Sequence, residues 1–182
     1  MVGDDTHEIP ICRHPKLVIN HASSNVEEYE LPTLARLFEH CVAHPDERIL
    51  YLHTKGVGKE VNPCIEDWVQ YMLYFLVEKH KDVILKLDTH TTVGVDLRQE
   101  PVLHYSGNFW WANASFITTL PHPIEFNCLI TYPNPLQSLR HNQEFWICHN
   151  TDDHYSLWDC GINCYERHVH RYSREMYDSG PT

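Results

Sequence analysis

The sequence predicts an α/β fold with a mostly parallel central sheet, and three successive segments carry this prediction. A short apolar run from Lys16 to Asn20 is bounded by polar residues, which is typical of a buried strand. Apolar residues at helical spacing follow from Leu31 to His44, and Ile49 to Leu52 form a second apolar run. Strand, helix and strand in this order favour a parallel pair joined by a right-handed crossover. In open sheets of this kind, ligands bind beyond the carboxyl ends of the strands.

The helices are predicted from the spacing of their apolar side chains. In the first helix, from Leu31 to His44, Pro32 suits the first turn. A second helix carries an apolar stripe from Ile65 to Val77 and extends at least to His80. Residues 82–87 fit either a continuation of this helix or a strand. Further strands are expected over residues 91–97 and within residues 102–116.

Length and charge predict a single domain and argue against nucleic-acid binding. The 182 residues predict one domain, 1–182, with an irregular lead-in over 1–15 and a His/Cys-rich C-terminal extension over 149–182. A formal net charge of -11 with only 14 Lys and Arg argues against nucleic-acid binding through phosphates. Neither a membrane span nor a signal-peptide pattern is visible, and the seven cysteines are scattered. We therefore expect a cytoplasmic location, with an excised domain as the alternative.

An aromatic segment from His104 to Ala112 suggests a sugar site. It reads His-Tyr-Ser-Gly-Asn-Phe-Trp-Trp-Ala, with two of the five tryptophans adjacent to each other. Because successive side chains on a strand point to opposite faces, Trp110 and Trp111 cannot both serve one core. We expect one of the two rings to line a cleft. A flat ring beside polar side chains suits the apolar faces and hydroxyl edges of a sugar.

Two other segments contain candidates for catalysis. The sequence His53-Thr54-Lys55-Gly56 follows the strand that ends near Leu52, and its cationic groups suit a diphosphate. A surface loop with incidental polar residues is the alternative. Glu144 lies next to Phe145 and Trp146, an apolar setting that favours a general base. A solvated or salt-bridged glutamate is the alternative there.

A divalent metal is the possible cofactor. Asp88 and His90 follow an apolar run, and such a pattern can hold Mn²⁺ or Mg²⁺ beside a diphosphate. The metal interpretation requires that residues 82–87 form a strand. Cysteines and histidines between Cys148 and His170 offer a further alternative, a zinc-stabilised module, although their spacing matches no common zinc motif.

In order along the chain, these segments resemble a glycosyltransferase-like family found in large-virus and microbial polysaccharide loci. The family is distantly similar to the rhamnan-synthesis transferases. The resemblance covers residues 16–148, and its elements are Tyr51 to Gly56, Asp67-Trp68, Tyr71-Met72, Val93 to Val95, His104 to Ala112 and Glu144 to Ile147.

The resemblance implies a Rossmann-like, GT-A-type three-layer sandwich with a mostly parallel sheet. It implies a nucleotide-sugar-dependent hexosyl- or deoxyhexosyltransferase, with a nucleotide-sugar donor and a glycan or other hydroxyl acceptor as partners. Glu144 would be the base. The donor would contact Asn20, His53, Lys55 and Gly56. The sugar or acceptor would contact His104, Gly107, Asn108, Trp110 and Trp111. The chain has no Asp-x-Asp and is short for a transferase, which favours an alternative function as a non-catalytic carbohydrate-binding or scaffolding domain.

Overall fold

The computed structural model describes Lys16 and residues 25–55, 61–126 and 131–178. In these residues the α-helices are α1 (Leu31–Ala43), α2 (Pro63–Leu73), α3 (His80–Leu87), α4 (Ala114–Ile117) and α5 (Pro135–Phe145). The strands are β1 (Arg48–Tyr51), β2 (Thr92–Gly94), β3 (Leu97–Arg98), β4 (His104–Tyr105), β5 (Trp110–Asn113) and β6 (His154–Ser156). A π-helical turn, Tyr74–Glu78, joins α2 to α3.

The helix predicted from Leu31 is confirmed, and its boundaries follow from local chemistry. Helix α1 has Pro32 in its first turn and buries Leu34 and Cys41 on one face. The expected second helix begins at Pro63, where the Asn62 side chain accepts a hydrogen bond from the backbone N–H of Cys64. Such a cap satisfies one of the amide groups that the first turn leaves without a helical partner.

Residues 82–87 are helical and belong to α3. The strand alternative for this segment is therefore wrong. Of the strand expected from Lys16 to Asn20, only Lys16 is among the described residues.

The predicted parallel, Rossmann-like sandwich is wrong. The main sheet has four strands in the order β1-β5-β2-β6, and a separate antiparallel pair consists of β3 and β4. Among the strands of the described residues, only β2 and β6 pair in parallel, whereas β5 pairs antiparallel with both β1 and β2. The helices between β1 and β2 do connect two strands that run in the same direction. Because β5 lies between those two strands, however, they form no parallel pair.

Two hydrophobic clusters lie on the opposite faces of β5. Trp110 and Ala112 are buried in a cluster with α1 and the residues that follow α5. Trp111 packs against the other cluster, which α2, the π-helical turn and α3 contribute. The prediction that Trp110 and Trp111 cannot share one core is thus confirmed by the alternation of side chains along a strand.

The C-terminal residues take part in this architecture. Strand β6 completes the main sheet, and Tyr172 and Tyr177 are buried in the second cluster. Among the described residues, no helix combines the length and the apolar character that a bilayer crossing requires.

Candidate functional site

The turn between β4 and β5 packs directly on helix α2. Gly107 has a φ of 100° and Asn108 a φ of 56°, so both lie in the left-handed region. A Cβ atom on Gly107 would lie 2.6 Å from the sulfur of Met72 and 3.0 Å from the ring of Trp68. Only glycine therefore allows this approach, which sets the turn against the indole of Trp68.

Asn108 is held inside the protein by two hydrogen bonds. Its Nδ2 donates to Glu30 Oε2 at 2.7 Å, and its Oδ1 accepts from Trp110 Nε1 at 2.9 Å. The hydroxyl of Tyr51 donates to the same Glu30 oxygen at 3.2 Å. Since Asn108 is buried and both ends of its amide are engaged, it fixes the turn and does not face a ligand.

His53 ties the end of β1 to the same turn. Its Nε2 lies 3.1 Å from the carbonyl oxygen of Gly107. Its Nδ1 lies 3.0 Å from the carbonyl oxygen of Thr54 and 3.2 Å from Glu30 Oε1. All three oxygens can only accept hydrogen bonds, so a ring nitrogen that carries a proton donates to one of them. His53 thus stabilises the turn through its contact with the carbonyl oxygen of Gly107.

Four of the predicted site residues meet in one pocket of about 200 Å³. Lys55, His104, Gly107 and Glu144 line it, although they come from widely separated parts of the chain. Glu144 belongs to α5, His104 to β4 and Gly107 to the turn. Lys55 follows β1.

The pocket has further lining residues to which the sequence assigned no role in binding. They are Trp68 on α2, Pro101, Ser106, Tyr132, Tyr165, and Arg140, His141 and Phe145 on α5. Trp68 belongs to the apolar stripe of α2 in the sequence, and no local signal separates it from its core neighbours. Arg140 precedes Glu144 by one helical turn, so the spacing of α5 could have indicated that the two side chains share a face.

Burial and neighbouring charges change the pKa of Lys55 in the pocket. Lys55 is half-buried, and its pKa lies below its usual value mainly because of burial. The carboxylates of Glu144 and Glu30 oppose this effect on the pKa of Lys55, whereas Arg140 adds to it. The Lys55 ammonium lies 4.5 Å from the centroid of the Trp68 ring.

His104 is a neutral imidazole in this setting. It is buried, and burial lowers the pKa of its ring. Its Nδ1 lies 2.7 Å from the carbonyl oxygen of Val102 and donates to it. The neutral ring then carries its lone pair on Nε2, which can accept a hydrogen bond from a ligand hydroxyl.

The two tryptophans of β5 do not line the pocket. Trp110 is fully buried and stacks on Tyr51 with 4.9 Å between ring centroids. Trp111 is half-buried, and its Nε1 donates to the carbonyl of Leu76 at 2.8 Å. The expectation that one of these two rings lines a cleft thus does not hold for this pocket, and the tryptophan that lines it is Trp68. Asn20 and Gly56, the remaining donor candidates, lie outside the described residues.

Asp88 and His90 do not form the expected metal site. Because residues 82–87 are helical, Asp88 is the residue that ends α3, and its carboxylate pairs with Arg48. His90 instead pairs with Asp153, with 2.8 Å between Nδ1 and Oδ1. Both side chains are engaged with other residues, so they do not fit Mn²⁺ or Mg²⁺.

Within the described ranges, one group of potential metal ligands comes together, formed by Asp96, Asp159 and Cys160. Asp96 pairs with Arg98 and Arg167, and Arg98 also binds Asp159 through two hydrogen bonds of 2.7 Å. Guanidinium groups thus already compensate both carboxylates. The cluster is explained as an ion-pair network without a metal.

Comparison with known proteins gives one match. No curated protein and no solved structure matches the chain. One family model matches residues 2–155, a stretch that includes Lys55, Trp68, the turn at Gly107 and Glu144 but ends before Arg167. The chain thus belongs to the family described as Domain of unknown function (DUF8361).

Proposed function

We propose that the protein transfers a sugar from a nucleotide-sugar donor to a hydroxyl acceptor. One observation carries the proposal: a carboxylate, Glu144, and a cation, Lys55, line the same pocket as the neutral imidazole of His104. A base, a charge-compensating cation and an acceptor of hydroxyl hydrogen bonds are the groups that this reaction needs.

Each group has a defined role in the proposed transfer. Glu144 takes the proton of the acceptor hydroxyl as its oxygen forms a bond to the anomeric carbon of the donor. The bond from that carbon to the diphosphate oxygen breaks, and the electron pair stays on the diphosphate. Lys55 and Arg140 stabilise the resulting negative charge. His104 Nε2 accepts a hydrogen bond from a sugar hydroxyl and orients the ring.

The size of the pocket favours a second candidate, carbohydrate binding without turnover. Small-molecule sites have volumes of about 300–1,000 Å³. A pocket of about 200 Å³ suits one glycosyl unit and leaves the nucleoside of a donor outside it. The second candidate needs only this glycosyl subsite, whereas the first needs a further surface for the nucleotide.

Substitution of Glu144 by Gln tests the proposed reaction. The amide keeps the shape of the side chain but cannot take a proton, so we expect turnover to fall by about 100-fold or more. Donor affinity should change little. Hydrolysis and transfer would be measured with UDP-, GDP- and dTDP-sugars, and affinity by ligand-observed NMR. Glu39→Gln is the matched control, because Glu39 is exposed and pairs with Arg36 at the surface of α1.

The possible outcomes separate the two candidates. Full activity of Glu144→Gln would refute Glu144 as the base. Binding of free oligosaccharides by the wild-type protein, with no turnover of any donor, would favour carbohydrate binding. Absence of binding to both donors and oligosaccharides would contradict both functions.

A further inference from the structure

Two residues that line the pocket carry buried polar atoms without a hydrogen-bond partner among the described residues. Ser106 is only 2% exposed, and its Oγ makes no hydrogen bond to any of them. The indole Nε1 of Trp68 is likewise buried and without an acceptor there. Both residues line the pocket. Buried donors that lack an acceptor are unfavourable, so these two are suited to an acceptor atom brought by a ligand.

The turn places Ser106 one residue before the glycine that packs against Trp68. Ser106 precedes Gly107, and the backbone of Gly107 packs against the Trp68 ring so closely that a Cβ atom would contact it at 3.0 Å. The backbone N–H of Ser106 donates to the carbonyl of Asp96 at 3.0 Å, which fixes the residue from the other side. Main-chain contacts therefore hold Ser106 and Gly107 in place, and the Ser106 hydroxyl takes no part in them.

The pocket also contains a cation, the Lys55 ammonium, close to Trp68. The Lys55 ammonium lies over the Trp68 ring and forms no ion pair with any described residue. Arg140 also lines the pocket, and Glu144 is the one acid among the lining residues that the structure describes. Lys55 and Arg140 as cations, against one carboxylate, give the pocket a net positive charge, which favours a ligand that carries a negative group.

We propose that Ser106 Oγ–H, Trp68 Nε1–H and the Lys55 ammonium form an oxyanion-binding corner of the pocket. An oxyanion has several lone pairs and can accept from all three donors at once. The ligand group is either the phosphoryl group of a sugar phosphate or the carboxylate of an acidic sugar. The inference concerns the same pocket as the proposed function but does not depend on turnover.

The test measures affinity of the full chain for inorganic phosphate, glucuronate and glucose by calorimetry. We expect at least one of the two oxyanions to bind more tightly than glucose. Ser106→Ala and Trp68→Phe should each weaken that binding by about tenfold, since a hydrogen bond to a charged group is lost. Phenylalanine keeps an aromatic face for Lys55. It removes the N–H donor together with the pyrrole ring of the indole.

Thermal stability distinguishes a binding role of Ser106 from a structural one. Because its hydroxyl has no partner among the described residues, Ser106→Ala should leave the melting temperature unchanged or raise it. A structural hydroxyl would lower the melting temperature on removal. Ser115→Ala is the matched control for the hydroxyl, because Ser115 is exposed. Trp158→Phe is the control for the indole, because its Nε1 donates to the hydroxyl of Tyr172 outside the pocket.

Every outcome bears on the inference. Tighter binding of phosphate supports the corner with a sugar phosphate as its ligand, and tighter binding of glucuronate supports it with an acidic sugar. Equal binding of glucose and both oxyanions would overturn it, as would wild-type affinity in Ser106→Ala. If Glu144→Gln stays active while the oxyanion affinity depends on Ser106 and Trp68, the assignment of Glu144 as the base fails and the corner stands.

Discussion

At the scale of the residue, the buried ion pair of Asp96 and Arg167 lies against the ring of Trp68. Asp96 has no solvent exposure and Arg167 only 2%. The Arg167 guanidinium lies 5.5 Å from the centroid of the Trp68 ring and 5.1 Å from that of Tyr71. Asp96 also accepts the backbone N–H of Cys160 at 2.9 Å. One carboxylate thus connects the residues after β2, the C-terminal segment and the wall of the pocket.

Removal of the arginine should destabilise the protein strongly. Arg167→Met leaves the Asp96 carboxylate buried, with Arg98 at 3.2 Å as its one remaining cationic partner among the described residues. We expect a loss of about 3 kcal/mol in the free energy of unfolding, measured by urea denaturation. Arg36→Met is the matched control, since Arg36 pairs with Glu39 at the surface and its loss should change stability little. Equal effects of the two substitutions would contradict the importance of the buried pair.

At the scale of the element, helix α2 carries Trp68 and depends on the cap at its first turn. The Oδ1 of Asn62 accepts the N–H of Cys64 at 2.9 Å, and its Nδ2 donates to the carbonyl of His168 at 3.0 Å. One side chain therefore starts the helix and also ties it to the C-terminal segment.

The cap predicts a difference between two substitutions. Asn62→Ala removes both hydrogen bonds and should lower the free energy of unfolding by about 1–2 kcal/mol. Asn62→Ser keeps a capping oxygen but cannot reach as far as an amide, so we expect it to lose less. Urea denaturation of both variants measures the difference. If serine costs as much as alanine, the tie to His168 and not the cap stabilises α2.

At the scale of the whole molecule, the buried His104 and the half-buried His154 make stability depend on pH. Burial lowers the pKa of His104 and His154 below the ordinary value of 6.5. The carboxylates of Glu144 and Asp153 partly oppose this. Both rings are neutral in the fold, whereas the unfolded chain binds protons as the pH falls through 6.5. The two histidines therefore make their full contribution to stability above that pH, and this contribution is lost as the pH falls below it.

We expect the free energy of unfolding to fall between about pH 7.5 and about pH 5.5. Replacing His154 by Gln removes one of the two rings. The free energy of unfolding should then depend less steeply on pH, since fewer protons are taken up on unfolding. His80→Gln is the control, because His80 is exposed. The measurement is urea denaturation at several pH values. A dependence that is the same in all three proteins would show that other groups cause it.

Several features of this protein followed from its sequence alone. The apolar spacing and Pro32 placed α1 where it is observed, from Leu31 to Ala43. Alternation along a strand separated Trp110 from Trp111, and the two rings indeed belong to different clusters. Local patterns suffice for such features because the backbone period decides which side chains share a face.

Other features were decided only by tertiary structure. The antiparallel position of β5 between β1 and β2 depends on which strands pair, and apolar periodicity does not encode a pairing partner. Burial of Trp110 and the place of Trp68 in the pocket both follow from that pairing, because it sets the turn at Gly107 against α2. The sequence thus determined the elements and the polar groups that could carry chemistry. Contacts between distant segments decided which of those groups meet.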